Sequence, residues 1–236
     1  MIIDNTGAFR DEEALKRHLS SKGAEKVLLT APGKGVPNIV HGVNHLEYNP
    51  DEVSIFSAAS CTTNAITPVL KAVQDSLGVV HGHLETIHAY TNDQNLVDNM
   101  HKKYRRGRAA ALNMVITETG AGKAVSKALP VFEGKLTSNA IRVPVPNGSL
   151  AILNLELETP TSKEGVNEIL KKYALEGNLV EQIKYSLDNE LVSTDIVGSA
   201  QPSIFDSNAT IVTQDGKNAV LYVWYDNEYG YSHQVI

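Results

Sequence analysis

The sequence predicts two kinds of structure in succession, an α/β region over residues 1–60 and an α+β region over residues 61–225. Three observations support this prediction. The first region alternates short apolar runs with a polar helical pattern, which is typical of parallel strands joined by a helix. A long amphipathic helix pattern opens the second region. Further on, 149-SLAILNLELE-158 alternates leucines with polar residues, the pattern of a strand with one buried face.

The first region reads as strand, helix, strand, strand. IID near the N-terminus is β-like, and DEEALKRHLSSKG predicts an exposed helix with Asp11 as its cap and Gly23 beyond its end. KVLLTAPGKG and VSIFSAAS predict two further strands. No G-x-G-x-x-G fingerprint opens the chain, and no acidic residue follows one. The segment therefore resembles the closing half of a doubly wound domain whose opening half is missing.

The second region begins with the amphipathic helix and continues with mixed elements. Apolar residues recur there at three- and four-residue spacing: Ile66, Val69, Leu70, Val73 and Leu77. Pro68 suits this helix if it lies in the first turn. Beyond it, GHLETIHAY and AVLYVWY predict strands, and TGAGKAVSKAL and SKEGVNEILKKYAL predict helices.

Composition argues against several classes of protein. The net charge of −6 over 236 residues disfavours a nucleic-acid partner or an anionic-membrane surface, since both want a basic excess. No apolar run approaches the ~20 residues of a membrane span. A single cysteine cannot form an internal disulfide, so the cytoplasm is the simplest compartment.

That single cysteine, Cys61, has polar neighbours in 58-AASCTTNAITPVLKAV-73. It lies at the predicted start of a helix, where free N–H groups and the helix dipole lower a thiol pKa and bind anions. The alternative is a small buried hydrophobe, the usual environment of a free cysteine. The polar neighbours weigh against that alternative and favour a nucleophile.

His88 is the candidate base, because it follows an apolar strand and precedes the polar loop YTNDQ. A hydrogen-bonded structural histidine is the alternative. A metal site is disfavoured, since His81 and His83 point to one face of the strand and His88 to the other.

Anion-binding groups form a third set. Arg105, Arg106 and Arg108 crowd one loop, and Thr119 and Gly120 lie at a predicted helix start. Basic loops are usually only solvated. Arg142 lies inside the apolar strand AIRVPVP, where a guanidinium needs an anionic partner, and phosphate is a natural one.

Together these segments resemble the phosphorylating glyceraldehyde-3-phosphate dehydrogenases. The resemblance runs the whole chain, with the motifs in the family's order and spacing. The motifs are ASCTTN around Cys61, IHAYTNDQ at 87–94, RRGRAAALN at 105–113, TETGAGKAV at 117–125, IRVPVPN at 141–147 and WYDNEYGYS at 224–232.

The resemblance implies the catalytic roles. Cys61 attacks the aldehyde of glyceraldehyde 3-phosphate to give a thiohemiacetal. His88 raises the nucleophilicity of Cys61 and accepts a proton as hydride leaves for the nicotinamide. Inorganic phosphate then cleaves the thioester and yields an acyl phosphate.

The resemblance also implies the binding residues. For inorganic phosphate it implies Ser60, Thr62, Thr119, Gly120 and Arg142. For the substrate phosphate it implies Thr91 and Arg142, with Asp93 organising the loop and either Arg106 or Arg108 assisting. For the cofactor it implies Thr6, Gly7 and Thr30 near its ribose and phosphates and Asn227 at the carboxamide.

The implied architecture is the C-terminal half of a Rossmann-like domain followed by a mixed-sheet catalytic domain. Residues 1–60 are then a remnant of the nucleotide-binding domain, with 226–236 returning to it. The sequence is expected to be a fragment that by itself binds NAD poorly. NAD is the family's cofactor, and NADP stays open because the acidic residue that reads the adenosine ribose is absent.

Three alternatives remain open at this point. Erythrose-4-phosphate dehydrogenase shares the nucleophile and the base, although HAYTNDQ favours the three-carbon substrate. A Cys–His hydrolase or acyltransferase needs no phosphate pockets. A binding or regulatory protein that has lost catalysis is the third. The loop 95–113 resembles the family's subunit-crossing segment, so a homotetramer is expected of the intact protein.

Overall fold

A computed structural model describes residues 1–236. The helices are α1 (Glu12–Leu19), α2 (Cys61–Leu77), α3 (Ala121–Ala128), α4 (Lys163–Leu175) and α5 (Tyr229–Val235). The first strands are β1 (Ile2–Asp4), β2 (Val27–Leu29), β3 (Ile55–Ser57), β4 (Val79–Ala89), β5 (Val115–Glu118) and β6 (Leu136–Val143). The others are β7 (Ser149–Leu157), β8 (Ile183–Ser186), β9 (Ser203–Asp206), β10 (Ile211–Val212) and β11 (Asn218–Tyr225).

The first sheet is small and entirely parallel, in the order β1-β2-β3. Helix α1 connects β1 to β2 and is capped as predicted, because the Asp11 side chain accepts from the Ala14 N–H at 2.9 Å. Leu15 of α1 is fully buried against Val27 and Leu29 of β2. Strand, helix and parallel strand in this order confirm the α/β character expected of this region.

The second sheet is mixed, in the order β5-β6-β4-β7-β11-β9-β8, with β10 paired to β11. Only β4–β6 and β8–β9 are parallel pairs, and the remaining neighbours are antiparallel. Three residues of β7 are buried, Leu153, Leu155 and Leu157, whereas Asn154 between them is exposed. The alternation in SLAILNLELE therefore reports a sheet with one covered face, and the mixed-sheet prediction is confirmed.

Helix α2 lies on the covered face and is buried on most of its circumference, by polar as well as apolar residues. Its residues Ile66, Val69, Leu70 and Val73 are fully buried in one core cluster with the leucines of β7. A helix that is buried on most of its circumference cannot shift without emptying the core. The first residue of α2 is thereby held in a fixed position over the sheet.

Pro68 lies in the middle of α2, and the expectation that it occupies the first turn is wrong. Proline has no N–H, so the carbonyl of Asn64 loses its helical donor. The hydroxyl of the buried Ser203 on β9 lies against this carbonyl, at 3.5 Å, and donates to the carbonyl of Ala65. A hydroxyl from the sheet thus lies at the break in the helix, next to the carbonyl that lacks a helical donor.

No helix of the structure combines the length and the apolar character that crossing a membrane requires.

Candidate active site

The turn into α2 presents Cys61 at the first helical position. Ser60 is the N-cap, and its side chain accepts from the Thr63 N–H at 3.2 Å. The residue before it, Ala59, is fully buried with φ of 57°, the left-handed region that costs a non-glycine residue about 1–2 kcal/mol. The N–H of Ala59 donates to the Ser57 hydroxyl, and the carbonyl of Ala59 accepts from the Tyr231 hydroxyl. These two bonds hold the strained turn beneath the thiol.

Cys61 and His88 are brought together by α2 and β4. The Sγ of Cys61 lies 3.6 Å from Nε2 of His88 and 3.9 Å from the Thr62 hydroxyl. His88 is 4% exposed, while Cys61 is partly exposed. A partly exposed thiol thus lies beside a buried imidazole, which is the geometry that a cysteine nucleophile with a histidine base requires.

The electrostatics of the pair differ from the sequence-based expectation of a lowered thiol pKa. Burial raises the pKa of Cys61, and this outweighs the opposing effects of the Thr62 hydrogen bonds and the positive charge of Arg142. Burial, together with Arg142, lowers the pKa of His88 to about 4. At neutral pH the resting pair is therefore a thiol beside a neutral imidazole, and a neutral imidazole has one ring nitrogen that can accept a proton.

Arg142 of β6 lies beside His88, its register partner on the parallel strand β4. Its Nη1 lies 2.6 Å from His88 Nδ1 and 3.1 Å from the carbonyl oxygen of Ala89. Its Nε is buried and has no partner. Burial lowers the pKa of this guanidinium, as expected of a cation without a carboxylate partner. The free Nε edge is the donor group of the site best suited to an anion.

The other residues implied for phosphate binding lie at the starts of α2 and α3, and their hydroxyl groups already have hydrogen-bond partners in the protein. Thr62 Oγ1 lies 2.9 Å from the Tyr225 hydroxyl, and Ser60 Oγ lies 2.8 Å from the Thr63 hydroxyl. Thr119 Oγ1 accepts from the Ala121 N–H at 3.2 Å. Gly120 caps α3 with φ of −87°, and a Cβ there would meet open space. These hydroxyls are oriented by the two helix starts.

The resemblance implies that either Arg106 or Arg108 assists in binding the substrate phosphate, and the two arginines have different environments in the structure. Arg106 is 8% exposed, forms an ion pair with Asp93 and donates to the Glu118 carbonyl at 3.1 Å, while its Nε has no partner. Arg108 instead pairs with Asp98 at 3.1 Å, with most of its side chain exposed. Arg106 is therefore the arginine held in the interior beside the Asp93 loop.

Thr91 lies at the start of that loop. Its N–H and its hydroxyl both donate to Gln94 Oε1, at 2.9 and 3.2 Å. The Nε2 of Gln94 is buried without a partner. The loop is thus closed upon itself, and Thr91 retains acceptor capacity for a bound group.

The residues implied for the cofactor lie at two places. Thr6 and Thr30 follow the carboxyl ends of the parallel strands β1 and β2, and both hydroxyls donate to Asp4, at 2.8 and 3.2 Å. Gly7, with φ of 72°, opens onto free space. Hydroxyls and a glycine at the carboxyl edge of a parallel sheet fit the ribose and phosphates of a dinucleotide.

Asn227, just beyond β11, is 6% exposed. Its Oδ1 accepts from the Ser149 hydroxyl at 2.8 Å and its Nδ2 donates to Glu228 at 3.2 Å. An amide has four hydrogen-bonding positions, so a donor and an acceptor remain for a carboxamide. This donor set also fits the cofactor.

Sequence reasoning missed Tyr225 as a part of the site. Its fully buried hydroxyl lies 2.9 Å from the Thr62 hydroxyl and 2.7 Å from that of Thr86. Its ring stands edge-on to His88, with centroids 5.9 Å apart. A tyrosine at an inward-facing position of the apolar run AVLYVWY was the available signal, because a buried hydroxyl requires partners.

Comparison with known proteins identifies the family of the chain. Residues 60–227 match the family described as the C-terminal domain of glyceraldehyde 3-phosphate dehydrogenase. The whole chain is 58% identical to a glyceraldehyde-3-phosphate dehydrogenase-like protein of Pseudomonas aeruginosa, of which it covers 51%. It is 43% identical to the glyceraldehyde-3-phosphate dehydrogenase of Streptomyces coelicolor and 45% to that of Mycobacterium avium, covering all of this chain and 70% and 68% of those proteins.

The chain thus spans about half the length of the Pseudomonas relative and about two thirds of the other two. The matched family region begins at the N-cap of α2 and ends at Asn227, so it contains both members of the Cys61–His88 pair. On the match over most of its length, this chain belongs to the glyceraldehyde-3-phosphate dehydrogenase family.

Proposed function

We propose that the chain carries the catalytic centre of a phosphorylating glyceraldehyde-3-phosphate dehydrogenase, which converts glyceraldehyde 3-phosphate and inorganic phosphate to an acyl phosphate. The observation that carries the proposal is the 3.6 Å contact between Cys61 Sγ and His88 Nε2, with the unpartnered edge of Arg142 beside it. A nucleophile, a base and an anion receptor are the groups that acyl transfer to phosphate requires.

In the first step Cys61 Sγ forms a bond to the aldehyde carbon. The thiol proton moves to His88 Nε2, which is neutral at physiological pH because its pKa is lowered to about 4. His88 then returns this proton to the carbonyl oxygen, which becomes the hydroxyl group of a thiohemiacetal. The N–H groups at the start of α2 lie where they stabilise the developing negative charge.

A bound nicotinamide cofactor, NAD by resemblance, supplies the hydride acceptor that converts the thiohemiacetal to a thioester. His88 takes the hydroxyl proton of the thiohemiacetal in this conversion. Thr6, Gly7, Thr30 and Asn227 are the residues of this chain that would hold the cofactor. Nothing among them selects NAD over NADP.

In the last step an oxygen of inorganic phosphate forms a bond to the acyl carbon, and the carbon–sulfur bond breaks to release the Cys61 thiolate. In this proposal Arg142, whose charge acts on the thiol of Cys61, binds the incoming anion. Ser60, Thr62, Thr119 and Gly120 form the rest of this anion site in the proposal. Thr91, Asp93 and Arg106 serve the phosphate of the substrate, and Arg108, which is paired with Asp98, does not take part.

The proposal extends to organisation and location. Residues 1–60, with 226–236, form the part that belongs to a nucleotide-binding domain, and 61–225 form the catalytic and substrate-binding domain. The hydrogen bond from the Tyr231 hydroxyl to the Ala59 carbonyl, 3.1 Å long, supports the return of the C-terminal segment to the first region. We place the intact protein in the cytoplasm as a homotetramer, assembled through the loop 95–113.

The test is reduction of NAD, at saturating cofactor, with glyceraldehyde 3-phosphate in the presence and absence of inorganic phosphate. The proposal predicts reduction that requires phosphate and disappears in Cys61→Ser. Hydrolysis of a thioester substrate, with no NAD reduction from the aldehyde, would instead indicate a Cys–His hydrolase. Erythrose 4-phosphate is the matched second substrate, and faster turnover of this four-carbon aldehyde would assign the sister activity.

A further inference from the structure

Three polar atoms at the end of β4 make mutual contacts that cannot all be satisfied at once. His88 Nδ1 lies 2.7 Å from the Ala89 carbonyl oxygen, and Arg142 Nη1 lies 2.6 Å from that Nδ1 and 3.1 Å from the same oxygen. An arginine nitrogen only donates, and a carbonyl oxygen only accepts. The contact with Nη1 therefore requires Nδ1 to be an acceptor, and the contact with the carbonyl requires Nδ1 to be a donor.

Each tautomer of His88 satisfies one contact and opposes the other. With the proton on Nε2, Nδ1 accepts from Arg142 and faces the lone pairs of the Ala89 carbonyl. With the proton on Nδ1, His88 donates to the carbonyl and faces an N–H of Arg142. Because His88 is 4% exposed, water does not screen either repulsion.

The two tautomers have different consequences at Cys61. The other ring nitrogen, Nε2, is the atom 3.6 Å from Cys61 Sγ. When Nε2 carries the proton, the imidazole can only donate to the sulfur and is not a base for the thiol. When Nδ1 carries the proton, Nε2 has a free lone pair and can accept the thiol proton.

Binding of an anion is expected to shift the guanidinium of Arg142. Its Nε is a buried donor without a partner, and its only protein acceptors are His88 and the Ala89 carbonyl. An anion on the Nε edge forms charge-assisted bonds that are stronger than either of these contacts. A shift of a few tenths of an ångström toward the anion is enough to lengthen the contact with Nδ1.

We propose that Arg142 sets the tautomer of His88, and that a phosphate group bound to the free edge of Arg142 switches His88 from donor to base. Without the anion the proton resides on Nε2. With it, Nε2 loses one proton to water, Nδ1 gains one from water and donates it to the Ala89 carbonyl. Arg142 is thus a positioning residue for the base, beyond its role as an anion contact.

The inference rests on the proposed function only in taking the anion to be a phosphate group. It has a consequence for specificity, because a molecule that brings no anion to Arg142 leaves His88 in the donor tautomer. The thiol then reacts slowly with unphosphorylated aldehydes. The cause is the protonation pattern of the base, in addition to any loss of binding.

The test is long-range ¹H–¹⁵N NMR of the ¹⁵N-labelled 236-residue chain, which reports which ring nitrogen of each histidine carries the proton. The His88 signal is assigned by its absence from His88→Asn. We expect protonated Nε2 in phosphate-free buffer and protonated Nδ1 at saturating inorganic phosphate. The same tautomer under both conditions would overturn the proposal.

Arg142→Lys provides a second readout, since lysine keeps the positive charge and removes the planar Nη1 contact. Its His88 is expected to carry the proton on Nδ1 without phosphate. Arg105→Gln is the matched control, because it removes an exposed cation from the neighbouring loop, and its spectrum should follow that of the wild type. A protonated Nε2 in Arg142→Lys would contradict the proposal.

The outcome is separable from that of the proposed function, because the NMR measurement uses neither aldehyde nor nicotinamide. Phosphate-dependent NAD reduction with an unchanging tautomer would reject the switch and leave the dehydrogenase activity standing. A change of tautomer on addition of phosphate, without NAD reduction, would support the switch and reject the dehydrogenase activity.

Discussion

The Sγ of Cys61 lies 3.6 Å from the Nε2 of His88, and this contact joins the first residue of α2 to the penultimate residue of β4. Both elements are anchored in the same apolar core. In the proposed mechanism the helix start supplies N–H groups for an oxyanion, and the strand end supplies the base. The pair is thus placed by core packing, while its chemistry depends on the few polar groups around it.

Replacement of the base tests its role directly. With inorganic phosphate at saturation, alkylation of Cys61 by iodoacetamide at neutral pH should be about 10²-fold slower in His88→Asn than in the wild type, because the thiol has a raised pKa and loses its proton acceptor. Quenched time courses followed by intact-protein mass measure this rate. His83→Asn on the same strand is the control, and an unchanged rate in His88→Asn would argue that His88 is not the base.

The lowered pKa of His88 predicts a pH dependence of stability. In the unfolded chain a histidine titrates near pH 6.5, and in the folded chain His88 titrates at about 4. As pH falls through this window the unfolded state takes up the proton first, so the free energy of unfolding falls, by about 3 kcal/mol at most. Above pH 6.5 the contribution is fully present.

Urea unfolding of the wild type and of His88→Asn at pH 7.5 and pH 4.5 measures this contribution. The wild type should lose more stability than the variant between these two pH values. Equal losses in the two proteins would show that His88 does not titrate with a depressed pKa in the folded state.

Tyr225→Phe is expected to destabilise the protein by about 1–3 kcal/mol, because the buried hydroxyls of Thr62 and Thr86 lose their common partner. Chemical denaturation measures the change. Tyr222→Phe on the same strand is the matched control, since Tyr222 is only half-buried and should change stability by less than about 0.5 kcal/mol. Similar effects of the two substitutions would remove the special role of Tyr225.

Ser203→Ala tests the donor that lies at the break in α2. The carbonyls of Asn64 and Ala65 lose the hydroxyl, which should cost about 1–3 kcal/mol of unfolding free energy. In a Pro68→Ala background the restored N–H pairs with the Asn64 carbonyl, so the same substitution should cost about 1 kcal/mol less. A double-mutant cycle by denaturant unfolding measures this coupling, and strict additivity would contradict it.

The parts of the fold that depend on local pattern were predictable from the sequence. Spacing of apolar residues predicted α2, and Asp11 marked the start of α1 correctly. Pro68 was misplaced, because the donor that lies against the freed carbonyl of Asn64 is Ser203, 139 residues further along the chain. A local rule about proline cannot include a partner so distant in sequence.

The sequence predicted that Cys61, His88 and Arg142 lie together, and the structure brings these three side chains into contact in sequence from thiol to imidazole to guanidinium, but their electrostatics were not predictable. A helix start favours a thiolate, yet burial raises the pKa of Cys61 and lowers that of His88, because both depend on what packs around them. The contact between Arg142 and His88 follows from the β4–β6 register, which no local segment of the sequence specifies. Tyr225 was missed for the same reason.

Acyl transfer at Cys61 is the most direct test of the central claim, and it needs no nicotinamide. The 236-residue chain is mixed with 3-phosphoglyceroyl phosphate, and its intact mass is recorded before and after inorganic phosphate is added. The account predicts an acyl adduct on Cys61 that inorganic phosphate discharges with return of the acyl phosphate, and no adduct in Cys61→Ser. A folded wild-type protein that forms no adduct, or an adduct that only water removes, would contradict it.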